Sequence, residues 1–133
     1  PYFCVLRLIE LVGNLTKESF IEKVFDFSTE KDWNFKGERP ALIDFYSDWC
    51  GPCELVVPIM EDLSKELDGK VDIYKIDTEA EQELRGMFGI INIPSILFIP
   101  MRGQPMMHAV ALPYEGFKDA IEKELLQPNK VET

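Results

Sequence analysis

The most reactive side chains in this sequence are two cysteines three positions apart, in the tetrapeptide Cys50-Gly51-Pro52-Cys53. A strand-like apolar run precedes them and a helix-like run follows, which places both cysteines at the start of a helix. Residues three apart on a helix share a face, so the two sulfurs come close enough for a disulfide. The free N–H groups of a first helical turn favour negative charge and therefore favour the thiolate of Cys50, the form that attacks a disulfide. The motif predicts a redox-active dithiol.

Two other uses of a CxxC pair fit the sequence less well. A zinc site needs four ligands, and the only further cysteine and histidine are Cys4 and His108. A purely structural disulfide is the second alternative, but a CxxC pair between a strand and a helix belongs more often to redox chemistry. We therefore expect no metal and no cofactor apart from the redox-active disulfide of Cys50 and Cys53.

Composition narrows the class of protein and its partners. The chain has 133 residues, of which 46% are hydrophobic, enough for one domain with its own core. Its formal net charge of −10 would repel a phosphate backbone, so nucleic acid and anionic membrane surfaces are not expected as partners. No apolar run approaches the length of a membrane span. Three cysteines are too few for a small secreted scaffold held together by disulfides.

Hydrophobic periodicity and turn residues predict the element order βαβαβαββα, an α/β protein. Thr16 is the expected cap of the first helix, and Thr78 with Glu81 forms a predicted capping box for the third. Leu55 is expected on the buried face of the second helix. The predicted helices cover residues 17–31, 50–69, 78–88 and 114–126, and the predicted strands include 41–46, 71–76, 96–99 and 107–111, the last two joined by a turn at Gly103.

The organisation expected along the chain is an N-terminal extension over residues 1–13, one domain over 14–127 and a short tail over 128–133. The first nine residues have three open interpretations: a targeting remnant, a vector sequence or an edge element. Cys4 has no neighbouring base or helix start, so we expect it to be an unreactive apolar residue.

An ordered set of motifs, spread over about residues 15–126, resembles the thioredoxin family. The matching pieces are the run 44–53, Pro58, Lys75-Ile76-Asp77, Ile93-Pro94-Ser95 and the turn at Gly103. The resemblance implies the thioredoxin fold, a central mixed β-sheet flanked by helices on both faces. It also implies a solvent-facing nucleophile at Cys50, a buried resolving cysteine at Cys53 and a cis-proline at Pro94 facing the dithiol.

The function implied by the resemblance is a protein disulfide oxidoreductase that reduces disulfides in partner proteins. The implied partners are disulfide-containing proteins and a reductase or other electron donor, and the implied state is a monomer. Two alternatives stay open. One is an exported relative that oxidises or reshuffles disulfides, since direction depends on the couple and its surroundings. The other is a non-enzymatic adaptor that only binds partners. The compartment stays open as well, with the cytoplasm as the family's default.

Asp44 is a carboxylate in an otherwise apolar strand. A buried acid is costly unless it has a role, and burial raises the pKa of a carboxyl towards the range of a general base. Lys75 stands at the matching family position beside it. We expect Asp44 and Lys75 to take part in proton transfer, and a structural Asp–Lys pair is the competing interpretation.

The remaining candidate residues would form an apolar rim around Cys50 that binds substrate. In the family, the backbone before the cis-proline pairs with an incoming peptide as an added strand. The candidate substrate-binding residues are Trp49, Gly51, Pro52, Ile93, Pro94, Val110 and Ala111.

Several positions depart from the family pattern. Glu54 follows the dithiol where lysine is common, and Tyr46 takes the place of the usual tryptophan. Asn92 and Ala111 stand where glycines are expected near the substrate groove. The stretch from Thr16 to Asp44 is about ten residues longer than in a minimal member of the family, so the first helix or the loop after it is extended. These departures leave the dithiol chemistry intact, but they weaken what the resemblance implies about the choice of reductase and partner.

Overall fold

The computed structural model describes residues 12–127. Cys4, most of the expected N-terminal extension and the tail over 128–133 lie outside these residues. No helix within residues 12–127 is both long and apolar enough to cross a membrane.

The described chain forms five strands and four helices in the predicted order. The strands are β1 (Gly13–Asn14), β2 (Ala41–Tyr46), β3 (Asp72–Asp77), β4 (Ser95–Ile99) and β5 (Met106–His108); the helices are α1 (Lys17–Lys23), α2 (Gly51–Glu66), α3 (Gln82–Met87) and α4 (Tyr114–Glu124). The strands form one sheet in the order β1-β3-β2-β4-β5. β1 and β2 run parallel to β3, whereas β4 is antiparallel to β2 and β5 to β4. The sheet is mixed, as the resemblance implies.

The helices cover both faces of this sheet in two pairs. One core cluster joins Phe20 of α1 and Leu84 of α3 to the β2 residues Ala41, Ile43 and Phe45. The other joins apolar residues of α2 and α4 to Leu42 of the same strand. Successive side chains of a strand point to opposite faces, so β2 supplies both cores. This central position explains why its sequence is almost continuously apolar.

The first helix is shorter than predicted. α1 begins at Lys17, where the expected cap Thr16 exchanges hydrogen bonds with Ser19, but it ends at Lys23 instead of near residue 31. The Asp26 carboxylate accepts hydrogen bonds from the Ser28 N–H and hydroxyl, a local turn that competes with helix. The added chain length therefore forms a loop.

That loop packs by its aromatic rings. The ring centroids of Phe25 and Trp33 lie 4.9 Å apart, and those of Trp33 and Phe35 lie 6.4 Å apart in a stacked arrangement. Phe25 is buried, and Trp33 and Phe35 pack against the α1/α3 core. Apolar burial by this segment stabilises the face of the sheet opposite α2.

Three other local predictions are wrong. The Thr78 hydroxyl donates to the Tyr46 carbonyl, and the Glu81 carboxylate accepts from the Lys17 N–H, so the two form no capping box on α3. Leu55 is 69% exposed instead of buried. β5 ends at His108, so the segment around residues 110–111 is not part of a strand. Contacts between distant segments and exposure to solvent decide these features, and the local sequence pattern encodes neither.

Candidate functional site

The two cysteines form a disulfide at the start of α2. Their Cα atoms are 5.3 Å apart. Cys50 is the N-cap of the helix, and its Sγ accepts a hydrogen bond from the Cys53 N–H at 3.1 Å. Cys50 is 8% exposed and Cys53 2% exposed, so the expected solvent-facing cysteine is the less buried of the two but is itself buried in the disulfide form. A backbone donor aimed at the Cys50 sulfur stabilises negative charge there in the reduced form.

The residues between the cysteines suit a helix start that must stay open to a partner. Gly51 and Pro52 occupy the first turn, where Pro52 removes a donor that has no intrahelical acceptor. Apart from its chain neighbours and the backbone of its own helix, nothing lies within 4 Å of the space that a Cβ at Gly51 would take, and both residues are exposed. Gly51 and Pro52 therefore lie at the surface, although the two cysteines beside them are buried.

A second segment, just before β4, approaches the dithiol. The Ile93–Pro94 peptide bond is cis, as the resemblance implies. The Ile93 carbonyl oxygen lies 3.6 Å from the Cys50 Sγ, within reach of an S–H in the reduced protein. Pro94 is buried and Ile93 half-buried. The structure thus brings Ile93 and Pro94 together with Cys50, although the two segments are 43 residues apart in sequence.

Asp44 lies on the face of β2 that is covered by α2, the helix that carries the cysteines. It is 3% exposed, and its Oδ1 atom is buried without a hydrogen-bond partner. Burial raises the pKa of Asp44 to about 7, and the positive charge of Lys75 partly opposes this rise. A carboxyl with such a pKa exchanges its proton near neutral pH, which suits a general acid or base.

Lys75 and Tyr46 accompany Asp44 on the same face. Lys75 stands opposite Asp44 in the register of β3 and β2. Its ammonium nitrogen lies 5.8 Å from the centroid of the Tyr46 ring, within cation–π range. Burial, together with the carboxylates of Asp77, Asp48 and Asp44, raises the pKa of Tyr46, so its phenol stays neutral.

The surface next to Cys50 contains large exposed apolar side chains. Trp49 is 88% exposed, and Ile91, in the segment that leads to the cis-proline, is 81% exposed. Val110 is 43% exposed and Ala111 is also exposed, both between β5 and α4. Contiguous exposed apolar patches mark interaction surfaces, whereas single exposed apolar residues are common. Trp49 adjoins Cys50 in the chain, whereas the contribution of the 110–111 segment to this surface stays a prediction.

Two features of this site were missed by the sequence reasoning. Ile91 stands beside the predicted Ile93 and Pro94 but was not singled out, because exposure cannot be read from an apolar residue next to a strand. The cation–π contact between Lys75 and Tyr46 was also missed. The signal for it was present, since Tyr46 follows Asp44 by two positions and so shares its face.

The geometry supports thiol–disulfide exchange. The cysteine pair is already joined, and it stores two electrons when reduced. Within residues 12–127, no group of three or more histidine, cysteine or acidic side chains is arranged to hold a metal ion. The reactive atoms that the structure places together are the two sulfurs, with the Ile93 carbonyl oxygen beside them.

Sequence comparisons agree with this chemistry. A family model described as thioredoxin matches residues 12–123. The chain is 45% identical over 109 residues to a thioredoxin of Borreliella burgdorferi, an alignment that covers 82% of this chain and 93% of the relative. It is 35% identical over 89 residues to a thioredoxin of Bacillus subtilis, covering 66% of this chain and 85% of that protein.

A solved structure supports the fold independently. Chloroplastic thioredoxin z superimposes with a TM-score of 0.71, covering 84% of this chain and 92% of the other. The two sequences are 24% identical, so this likeness is evidence for the fold alone. The likeness supports the fold described above, a mixed five-stranded sheet with helices on both faces.

Proposed function

This chain belongs to the thioredoxin family and is a thiol–disulfide oxidoreductase, and from that premise we propose that it reduces disulfides in partner proteins, with Cys50 attacking first and Cys53 resolving. The observation that carries the assignment is the hydrogen bond from the Cys53 N–H to the Cys50 sulfur. It favours the thiolate on Cys50, whereas Cys53 is the more deeply buried of the two.

The exchange runs in two steps. The Cys50 thiolate attacks one sulfur of the substrate disulfide, which forms a mixed disulfide and releases the other substrate sulfur as a thiolate that takes up a proton. The Cys53 thiolate then attacks the Cys50 sulfur and breaks the mixed disulfide. The second substrate thiol leaves, and the Cys50–Cys53 disulfide of the structure is formed. Two electrons have passed to the substrate, and a reductase or other donor returns them.

Asp44 acts in the second step. Cys53 is buried and must lose its proton before it attacks. Asp44 lies on the α2-covered face of β2, and burial raises its pKa to about 7. Its carboxylate form is therefore a base strong enough to take the thiol proton, and Lys75 moderates its charge. Its buried Oδ1 without a partner supports this role, because a purely structural acid would be expected to have its hydrogen bonds satisfied.

Substrate binds as an extended segment across the dithiol. The backbone at Ile93 supplies hydrogen-bonding groups next to the cis Pro94, and the exposed ring of Trp49 supplies apolar contact. Gly51 and Pro52 leave the approach to Cys50 open. Val110 and Ala111 complete the rim in this proposal.

The remaining parts of the proposal concern organisation. Both reacting cysteines come from one chain, so a monomer is sufficient for the reaction. We place the catalytic domain at residues 14–127, with an extension over 1–13 and a tail over 128–133; the family match over residues 12–123 supports this division.

Trapping experiments test the order of attack. In the reduced protein, Cys53→Ser should accumulate mixed disulfides with a substrate such as insulin, because the resolving thiolate is gone. Cys50→Ser should neither reduce insulin nor accumulate adducts at a comparable rate. Mass spectrometry of the adducts identifies the linked cysteine. Equal trapping through Cys53 in Cys50→Ser would reverse the proposed roles, and the oxidoreductase assignment itself would fail only if the unmodified protein left insulin oxidised.

A further inference from the structure

Asp44 and Lys75 are neighbours that do not form an ion pair. They stand opposite each other in the parallel register of β2 and β3 and share the face under α2. Within residues 12–127, no ammonium or guanidinium nitrogen lies within 4 Å of the Asp44 carboxylate, and its Oδ1 has no hydrogen-bond partner. The positive charge of a nearby lysine stabilises a buried carboxylate, but closing the pair also removes water from the ammonium. Where the Lys75 ammonium lies therefore depends on its other contacts.

Tyr46 provides such a contact. Its ring shares the Asp44 face of β2, two residues further along the strand, and the Lys75 nitrogen lies 5.8 Å from the ring centroid. The backbone of Tyr46 is fixed, because its carbonyl accepts hydrogen bonds from the Thr78 N–H at 2.8 Å and from the Thr78 hydroxyl at 2.9 Å. The ring is thus attached to a rigid point beside the acid, at the end of the strand that leads to the dithiol.

We propose that Tyr46 is a positioning residue whose ring holds the Lys75 ammonium away from the Asp44 carboxyl and so prevents a direct ion pair between them. The inference rests on the proposed function, in which Asp44 exchanges a proton with Cys53. It adds a role for a residue that touches neither substrate nor the sulfurs in that scheme.

The consequence for the reaction follows from electrostatics. Burial raises the pKa of Asp44 to about 7 although Lys75 lowers it. An opposite charge in direct contact typically lowers a carboxyl pKa by about 1–3 units. A closed ion pair would therefore leave Asp44 ionised well below neutral pH and make it a weaker base. With Lys75 over the ring, the acid keeps a proton affinity suited to accepting the thiol proton.

The other groups around this cluster do not replace the ring. Asp48 and Asp77 act on Tyr46 through their charges, but neither forms an ion pair with Lys75 within 4 Å. The Asp77 Oδ1 instead accepts from the Glu79 N–H. α2 contributes the uncharged disulfide, and β4 places the apolar Ile96 opposite Asp44. The tyrosine ring is the neighbour that has an attractive contact with the ammonium.

The test compares ring-bearing and ringless variants. Tyr46→Phe keeps the ring, whereas Tyr46→Leu removes it, and both are made with and without Lys75→Met. The Asp44 carboxyl is titrated by carbon NMR in the oxidised protein, where neither Cys50 nor Cys53 carries a thiol, and amide spectra confirm the fold. Should Tyr46→Leu not fold, Tyr46→Met serves as the second ringless variant.

We expect Tyr46→Leu to lower the Asp44 titration midpoint by about one pKa unit, since the freed ammonium can approach the carboxyl. Tyr46→Phe should leave the midpoint unchanged. In the Lys75→Met background, Tyr46→Leu should no longer lower it. The pH dependence of mixed-disulfide resolution should move in the same direction in the variant that retains lysine.

Three results would overturn the inference. One is an unchanged midpoint in Tyr46→Leu. Another is an equal fall in the Lys75→Met background, which would show that water entering the site, and not the lysine, lowers the midpoint. The third is a fall of the same size in Tyr46→Phe. A failure of the proposed function looks different: if Asp44→Asn resolved mixed disulfides at the normal rate, Asp44 would not be the base, yet the titrations would still report where Lys75 is held.

Discussion

The two faces of strand β2 differ in what they contribute. Ala41, Ile43 and Phe45 are fully buried on the face covered by α1 and α3, so every β2 residue on that face is apolar. On the α2 face, Leu42 is fully buried but is followed by Asp44 and the half-buried Tyr46. The face of Ala41, Ile43 and Phe45 is therefore an apolar core, the uniform face. The face of Leu42, Asp44 and Tyr46, the polar face, changes from apolar to polar along its length towards the dithiol.

This difference shows how one strand can serve stability and reactivity together. A buried carboxyl without full hydrogen bonding costs free energy, and Asp44 is such a group. The cost is offset by apolar packing on the opposite face, to which the aromatic loop after α1 adds Phe25, Trp33 and Phe35. The following predictions test whether stability and function separate between the two faces in this way.

The largest expected effect on stability comes from the uniform face. Phe45 is fully buried and packs against Phe88 with ring centroids 5.5 Å apart. Phe45→Ala should lower the free energy of unfolding by about 3–5 kcal/mol, through lost burial and a new cavity. Urea denaturation measures the loss, and Phe45→Leu serves as a control with a smaller one. A loss below about 1 kcal/mol in Phe45→Ala would remove the distinction between the faces.

Asp44 should act in the opposite direction. Its native pKa of about 7 lies above the ordinary 3.8, so the native state keeps a proton that the unfolded chain releases between these pH values. Stability should therefore fall as pH rises from about 4 to about 7 and then level off. The difference between the two pKa values corresponds to at most about 4 kcal/mol. Asp44→Asn should remove this dependence and be the more stable protein at pH 8.

Urea denaturation at pH 4 and pH 8 checks the Asp44 prediction, with Phe45→Leu as a control that keeps the pH dependence. The same Asp44→Asn variant should resolve mixed disulfides more slowly, since general-base catalysis typically contributes about 10²–10⁴-fold. A variant that loses stability at pH 8 would identify Asp44 as a structural residue. The polar face would then be stabilising, contrary to the comparison.

Replacing Thr16, the N-cap of α1, should change the stability of the protein but not its activity. The Thr16 hydroxyl accepts from the Ser19 N–H at the start of α1, the helix that places Phe20 in the uniform core. Thr16→Ala should cost about 1 kcal/mol, whereas Thr16→Ser keeps the hydroxyl and should cost less. Insulin reduction by the folded protein should be unchanged in both. Slower reduction in Thr16→Ala at full folding would show that the two faces are coupled.

The smallest effect is expected at Glu54, an exposed acid directly after Cys53 on the dithiol side. Glu54→Lys should speed reaction of the reduced protein with an anionic disulfide such as oxidised glutathione and slow reaction with cationic cystamine. The change should be about two- to fivefold, because exposed charges interact weakly. It should shrink at high salt, and Glu54→Gln should fall between the two. If Glu54→Lys reacted with each disulfide at the same rate as the unmodified protein at low salt, Glu54 would not select partners by charge.

The sequence alone determined the redox chemistry and most of the architecture. The spacing of Cys50 and Cys53 at a helix start is a local property, so it could be read directly, and the bounds of β2 were predicted correctly because a strand buried on both faces is apolar throughout. Thr16 was identified as a cap for the same local reason. The cis bond before Pro94 came from the resemblance, not from the residues themselves.

Only the tertiary structure decided features that depend on distant neighbours. α1 stops at Lys23 because the Asp26 turn and aromatic packing outweigh its periodicity, and Thr78 donates to Tyr46 across the sheet instead of capping α3. The approach of Ile93 to Cys50, and the position of Lys75 over Tyr46 beside Asp44, likewise arise where separate strands and loops meet. Local pattern records which residue types are present, but contact energies and burial exist only once the chain has folded.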